Sequence, residues 1–497
     1  MVLAEVDAVP GAEIVPSSLS SSASPHGFSL DSPMIGTVDG LSDYSLVETQ
    51  DMTKSILTTT TNINPDMVTF ATPLSAFLSL EPTLLYCPSP WPDDLQASPK
   101  RQFLWNYFLH SLQMNALCLD LEDMPDFQDP FIATIPQMAL RNATLREAAL
   151  CFSAFQYTAL HGHWDLNRTM GAAWRKAYEG LRAQLAIRQA ADGWSFLSMI
   201  SACCLLYWCA ADQGEDCLRL ATKLAMEFLQ QQQVEPTIPR TYQDVILTGF
   251  RWTMIATLCS LKPPSRLLND KMIDAVEMGH HEVDANHSPA FANWISHPLY
   301  AFSPRLVNPL LRMGHLADMQ LLRHKDKIHG SNDSTTDQFE HELLAVEETL
   351  LRAREADLMA TIAPGCFTNP SSVASLNEAM HAASFILFYT RFRGLPFTAP
   401  VIRRQVRTVV SEISKIHEDS RVSYAIVFPL FIAACEAVDQ EDRRIIENRL
   451  RVPRGLFVDR GNTTAALRHI WEIRDLQPSL LWPDWVSKGM NILVSAH

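Results

Sequence analysis

From about residue 98 onward, apolar residues return at steps of three and four, the spacing that gathers side chains on one face of an α-helix. In KRQFLWNYFLHSLQ, Leu104, Phe108 and Leu112 share such a face, with Tyr107 beside them. The next block, DPFIATIPQMALRNATLREAALCFSAFQYTAL, keeps the same period. Pro136 has no amide hydrogen for an interior turn, so a break is expected near it. A restart is expected at Asn142 or Thr144, either of which suits an N-cap, with the helix running to about Leu160. Further helices are expected at about 168–189, 192–211, 213–233, 239–261, 305–324 and 338–360. In the last of these, Phe339, Leu343, Val346, Leu350 and Ala353 line up at helical steps. The C-terminal third adds segments at about 372–394, 401–416, 423–437, 440–450 and 461–475, then a final piece. Pro263-Pro264, Pro298 and Pro364-Gly365 mark breaks. Strand-type alternation is nearly absent, and so is any βαβ rhythm or fixed repeat. The pattern therefore predicts an all-α fold, a large multi-helix domain of packed antiparallel helices.

The first part of the chain reads differently. Residues 1–66 hold PSSLSSSASP and ILTTTTN and lack the periodicity that could build a core, so disorder is expected there. This stretch is acidic, with Lys54 as its one basic residue. The interleaved apolar residues of DGLSDYSLVETQD resemble an acidic activation segment, and the plainer reading is a solvated tail. Residues 67–97 read as a Pro-rich connecting segment, and residues 98–497 as the helical domain.

Composition narrows the function classes. The 497 residues are 47% hydrophobic, enough for a large core. A net charge of −15 argues against a general nucleic-acid grip, so any DNA contact needs a local basic patch. The ten cysteines are scattered, apart from Cys203-Cys204, and read as reduced, buried thiols. The start, MVLAEVDAVPGAEIV, is acidic where a secretory signal would be basic. The longest uncharged run, Ser195 to Ala211, sits at the lower edge of a membrane span, and its Ser and Cys content points instead to a buried central helix.

Several groups of residues invite chemical readings. Cys203, Cys204, Cys209 and Cys217 lie in an apolar helix, and Cys-x-x-Cys spacing occurs nowhere. Arg391, Arg393, Arg403, Arg404 and Arg407 could touch phosphates, and a solvated face with acidic neighbours is the simpler expectation. His280, His281, His287 and His297, with Glu282 and Asp284, carry metal-ligand chemistry on a segment too broken for an i,i+4 pair, so a loop is expected. His161 and His163 suit the negative end of a helix dipole. Asn332, Asp333, Thr336 and Glu340 match the magnesium-binding spacing of terpene cyclases, another all-helical class. The acidic partner that such an enzyme needs is reduced to Glu122–Asp126, interrupted by Pro125, and the local context reads as a loop ending in an N-cap. No residue is assigned a catalytic, cofactor-binding or metal-ligating role, and no cofactor is expected. An all-helical enzyme and a non-catalytic scaffold remain as alternatives.

The strongest pattern lies in the last fifth. VFPLFIAACEAVDQEDRRIIENRL (Val427 to Leu450) and ALRHIWEIRD (Ala466 to Asp475) resemble the C-terminal signature of the fungal-specific transcription factor domain. Pro429, Leu430, Phe431, Cys435, Glu436, Ala437, Arg443, Trp471, Arg474 and Asp475 carry the resemblance, and Ala434 stands where the family usually has Gly. A second block fits as well: Tyr107-Phe108, Asp129-Pro130-Phe131 and Phe152 to Gly162. Arg474 and Asp475 are adjacent and cannot face each other on a helix, so each is expected to pair with another segment such as Glu436 or Arg443. Trp471 and Trp485 are expected as core anchors.

The resemblance implies a transcriptional regulator or co-regulator in the nucleus, and not an enzyme. Its partners would be other transcription factors or co-regulators, in a homo- or heterodimer, with no membrane. Such proteins resemble regulators encoded beside the metabolic genes they control. In the family a zinc cluster of two cysteine triplets supplies DNA binding upstream of a Ser-rich linker. Here the linker is expected without the cluster, which leaves direct DNA binding without its usual element.

Overall fold

The computed structural model describes residues 91–115, 130–161, 166–187, 192–209, 214–234, 238, 240–258, 302–328, 334–360, 369–451 and 460–478. All lie in one unit of the chain. The expectations for residues 1–66, the start of the connecting segment, Trp485 and the final piece fall outside them. Among the described residues there is no strand.

Eight helices are described in the N-terminal half. These are α1 (Asp93–Gln96), α2 (Pro99–Asn115), α3 (Pro130–Arg141), α4 (Ala143–His161), α5 (Asn167–Ala186), α6 (Gly193–Cys209), α7 (Gly214–Val234) and α8 (Arg240–Leu258). The uncharged run read as a central helix is α6. Phe196, Leu197, Met199, Ile200, Ala202, Cys203 and Leu206 are all buried, so α6 is covered nearly all round. Helices α4, α7 and α8 pack against it. No described helix is long and apolar enough to cross a membrane. Gly180, late in α5, lies against Thr144 at the start of α4, so these two helices run antiparallel, and a Cβ at Gly180 would collide with the Thr144 side chain.

Two features of this half depart from the sequence pattern. Helix α3 runs straight through Pro136, and the break falls at Asn142. Proline removes one interior hydrogen bond, at about 3 kcal/mol. Buried Thr134, Ile135, Met138 and Ala139 on the same short helix offset that loss by packing. Asn142 then caps α4, its Oδ1 accepting from Leu145 N at 3.1 Å. The other departure is α1, a single turn in the Pro-rich segment, which is held by charge. Arg101 donates to Asp94 Oδ2 at 2.6 Å and to both Glu147 oxygens at 2.8 and 3.0 Å. Arg146 Nε reaches Asp94 Oδ2 at 3.0 Å, and Leu95 is fully buried.

The C-terminal half begins with a 3-10 turn, Pro304–Leu306, and continues with α9 (Val307–Ile328), α10 (Ser334–Met359), α11 (Pro370–Arg391) and α12 (Pro400–Lys415). A second 3-10 turn, Arg421–Ala425, precedes α13 (Val427–Cys435), α14 (Gln440–Leu450) and α15 (Arg460–Leu476). Helix α11 is the central one here. Asn369 caps it and Pro370 opens it, a start that needs no amide hydrogen. From Val373 to Phe388 its apolar side chains are buried, against α10, α12 and α13. Helices α10 and α11 are antiparallel, since Arg354 meets Glu378 while Glu347 meets Tyr389. Gly394, at φ 65°, makes the turn into α12, a backbone that L side chains rarely adopt. Helix α12 then buries Ile402, Val406, Val409, Val410 and Ile413 along one stripe. Helix α8 packs on α9, and this is the principal described contact between the halves.

Candidate functional site

Two clusters of buried charge stand out, both in the C-terminal half. The first joins α13, α14 and α15. Helix α13 carries Pro429 in its first turn, buries Leu430, Ile432, Ala433, Ala434 and Cys435, and ends at Glu436. Phe428 and Phe431 pack against the core only partly buried. Helix α15 presents Arg474 and Asp475 about 100° apart around its axis, so they serve different partners. Arg474 pairs with Glu436, both buried. Asp475 takes Arg443 in a two-pronged bond, at 2.6 and 2.7 Å. Arg443 also donates from Nε to the Ala437 carbonyl at 3.0 Å and lies over the Trp471 ring, 5.2 Å from its centre. Trp471 is buried and donates from Nε1 to the Ala434 carbonyl at 2.8 Å. The Arg474 guanidinium sits 4.7 Å from the centre of the Phe397 ring.

Burial pushes the Glu436 carboxyl up to about 7, against the pull of the Arg474 guanidinium. Arg443, by hydrogen bonding to Asp475, holds that exposed carboxyl below the usual carboxylate range. Arg443, Trp471, Arg474 and Asp475 bond within the cluster or to backbone carbonyls, while Glu436 Oε1 is buried without a hydrogen bond. The arrangement clamps three helices together. The two pairings expected for Arg474 and Asp475 are the ones found.

The second cluster was not foreseen. Asp357, near the end of α10, accepts from His381 Nε2 at 2.7 Å, Asn377 Nδ2 at 3.1 Å, Ser303 Oγ at 3.0 Å and Arg305 at 2.6 Å. The Ser303 amide in turn donates to Asn377 Oδ1 at 2.9 Å. Burial works against ionisation of Asp357, and the bonds from His381, Asn377 and Ser303 outweigh it, so its carboxyl sits below the usual range. The residue types are those of a serine hydrolase, yet the connectivity is wrong for one. Ser303 gives its proton to the carboxylate and has no imidazole base, and His381 spends Nε2 on the same carboxylate. The cluster ties Ser303, α10 and α11 together. No local signal marks it, because its members are spread from Ser303 to His381 and each is ordinary in its own segment.

The other residues singled out from sequence fall as follows. Asn332 and Asp333 lie outside the described residues, as do Glu122–Asp126, the histidines from His280 to His297 with Glu282 and Asp284, and His163. Thr336 is in the first turn of α10. Glu340, on the same helix, is exposed and pairs with Arg393 at 3.5 Å. His161 ends α4, its ring against Tyr157. Three of the arginines around GLPFTAP meet carboxylates: Arg393 takes Glu347 at 2.6 Å and Arg403 takes Asp439 at 2.5 Å, with Arg407 at 3.9 Å from the same Asp439, while Arg404 is exposed on α12. Arg391 is buried, over the Phe392 ring.

Cys203 and Cys209 are buried in α6, and burial pushes their thiols well above the usual range. Cys204 and Cys217 are pushed up to about 12. Among the described residues no group of His, Cys, Asp and Glu could hold a metal ion.

No curated protein and no solved structure matches the chain. The sequence matches the fungal-specific transcription factor domain over residues 102–495, a span that takes in both buried charge clusters and both central helices. The chain belongs to the fungal-specific transcription factor domain family.

Proposed function

We propose that this protein regulates transcription in the nucleus of its fungal host, acting on a small coordinated set of genes such as a specialised-metabolite cluster. It acts there through other transcription factors or co-regulators. The carrying observation is the family match over residues 102–495, most of the chain. The geometry fits that reading: the family signature residues Glu436, Arg443, Trp471, Arg474 and Asp475 are consumed in holding α13, α14 and α15 together. Partner-borne DNA contact is the form favoured. The net charge is −15, and Arg393, Arg403 and Arg407 are engaged by carboxylates.

The test is a transcript profile of a strain deleted for the gene. Coordinated loss or gain of a small set of genes, neighbouring ones above all, is the expected result. An unchanged profile with one missing metabolite would overturn the proposal in favour of an enzyme.

A further inference from the structure

Helix α10 has two apolar stripes. Phe339, Leu343, Val346, Leu350 and Ala353 are buried in the core. On the outer face, about 100–140° round the axis from that stripe, Leu344, Leu351 and Leu358 are 59%, 53% and 70% exposed, and Met359 is 82% exposed. A surface helix ordinarily turns polar residues outward. These leucines are seven residues apart, so they stand about 10.5 Å apart along the axis and drift by only about 20° per step. They form one straight row along the outer face, the spacing of a helix–helix seam.

The charges beside the row say what could cover it. Asp337, Glu340, Glu348 and Glu355 are exposed on this helix. Of the basic side chains there, Arg352 is held by Glu348 at 2.5 Å and Arg354 by Glu378, and His341 is exposed. A second copy of the chain would set one acidic face on another and add to a net charge of −15. A partner with Lys and Arg beside its own apolar row would meet leucines with apolar side chains and carboxylates with cations.

We propose that the outer face of α10 docks an amphipathic helix whose apolar seven-residue row is flanked by lysines and arginines. The inference rests on the partner-dependent reading above for its role in the cell. The docking itself is a property of the purified chain, so it can fail while the transcript profile still shows regulation, and the reverse.

The experiment titrates the purified full chain into a labelled helical peptide carrying Leu at every seventh position with Lys on both sides. A peptide with Glu in place of Lys and a Lys peptide with its leucines scattered serve as comparisons. The expected result is saturable binding of the first peptide alone. Leu351→Ser should weaken it at least tenfold with an unchanged unfolding midpoint, and the double variant Glu348→Lys with Glu355→Lys should shift preference to the Glu peptide. Three outcomes would overturn the proposal. Equal binding of the scattered peptide would mean charge attraction only. A lowered midpoint in Leu351→Ser would mean that the row is covered by the chain itself. Concentration-dependent self-association that Leu351→Ser abolishes would mean that a second copy is the occupant.

Discussion

Glu436 and Arg474 are a buried pair in which each member makes the other tolerable. Removing Arg474 leaves the buried Glu436 carboxyl, protonated or not, without its partner, so Arg474→Ala should destabilise the domain by about 1–3 kcal/mol. Replacing both together, with Glu436→Leu and Arg474→Met, should cost much less. Chemical denaturation of the two single variants and the double variant measures the coupling, and a double variant as weak as Arg474→Ala would contradict it. The same residue sets a pH dependence. The folded Glu436 carboxyl lies at about 7, above its unfolded value, so the fold binds a proton that the unfolded chain releases. That contribution is fully present below the unfolded value and is lost as pH rises through about 7. The unfolding midpoint should therefore fall between pH 4.5 and about 7 and level off above it, and Glu436→Gln should flatten the slope. Asp357 behaves oppositely: its lowered carboxyl contributes above the unfolded value and loses that contribution in acid. Asp357→Ala leaves Arg305, Asn377 and His381 without their shared acceptor, and a loss of about 2–4 kcal/mol is expected in a urea titration.

At the scale of elements, much of the helical order was legible from spacing. The period of three and four located α5, α7, α8 and α12 to α15 closely, and an unbroken uncharged run located α6. Pro136 misled, since a local rule about one hydrogen bond was outweighed by packing along α3. Helix α1 was illegible for the opposite reason: one turn carries no period, and it is held by Arg101 and Arg146 from two other helices. The Glu436 and Asp475 pairings were readable because adjacency on a helix forbids Arg474 and Asp475 to pair. The Asp357 cluster was not, since nothing local links Ser303 to His381. The outer row of α10 was present in the sequence, hidden behind the stronger inner stripe. Close approach is a further element-scale property. Gly180 lets α5 sit down on α4, and a methyl group there meets a short, buried Thr144 with little room to retreat. Gly180→Ala should cost about 1–3 kcal/mol, with Gly180→Ala/Thr144→Ala recovering part of it in thermal melts.

For the whole molecule, one apolar core holds two central helices, α6 packed by α3, α4, α5, α7 and α8, and α11 packed by α10, α12 and α13. Each has its own ring of neighbours. Local opening of a protein follows such cooperative groups. In mild urea, hydrogen exchange should show α1 to α8 losing protection as one set and α10 to α15 as another, and a single set would refute that division.

The meeting of α8 with α9 then has a meaning beyond packing. Among the described residues it is the main crossing for a message sent from one half of this protein to the other, as a load crosses a joint. A bistable joint turns a small push at one end into a change at the other. A stiff one makes the protein a fixed platform, whose output is set only by who is seated on it.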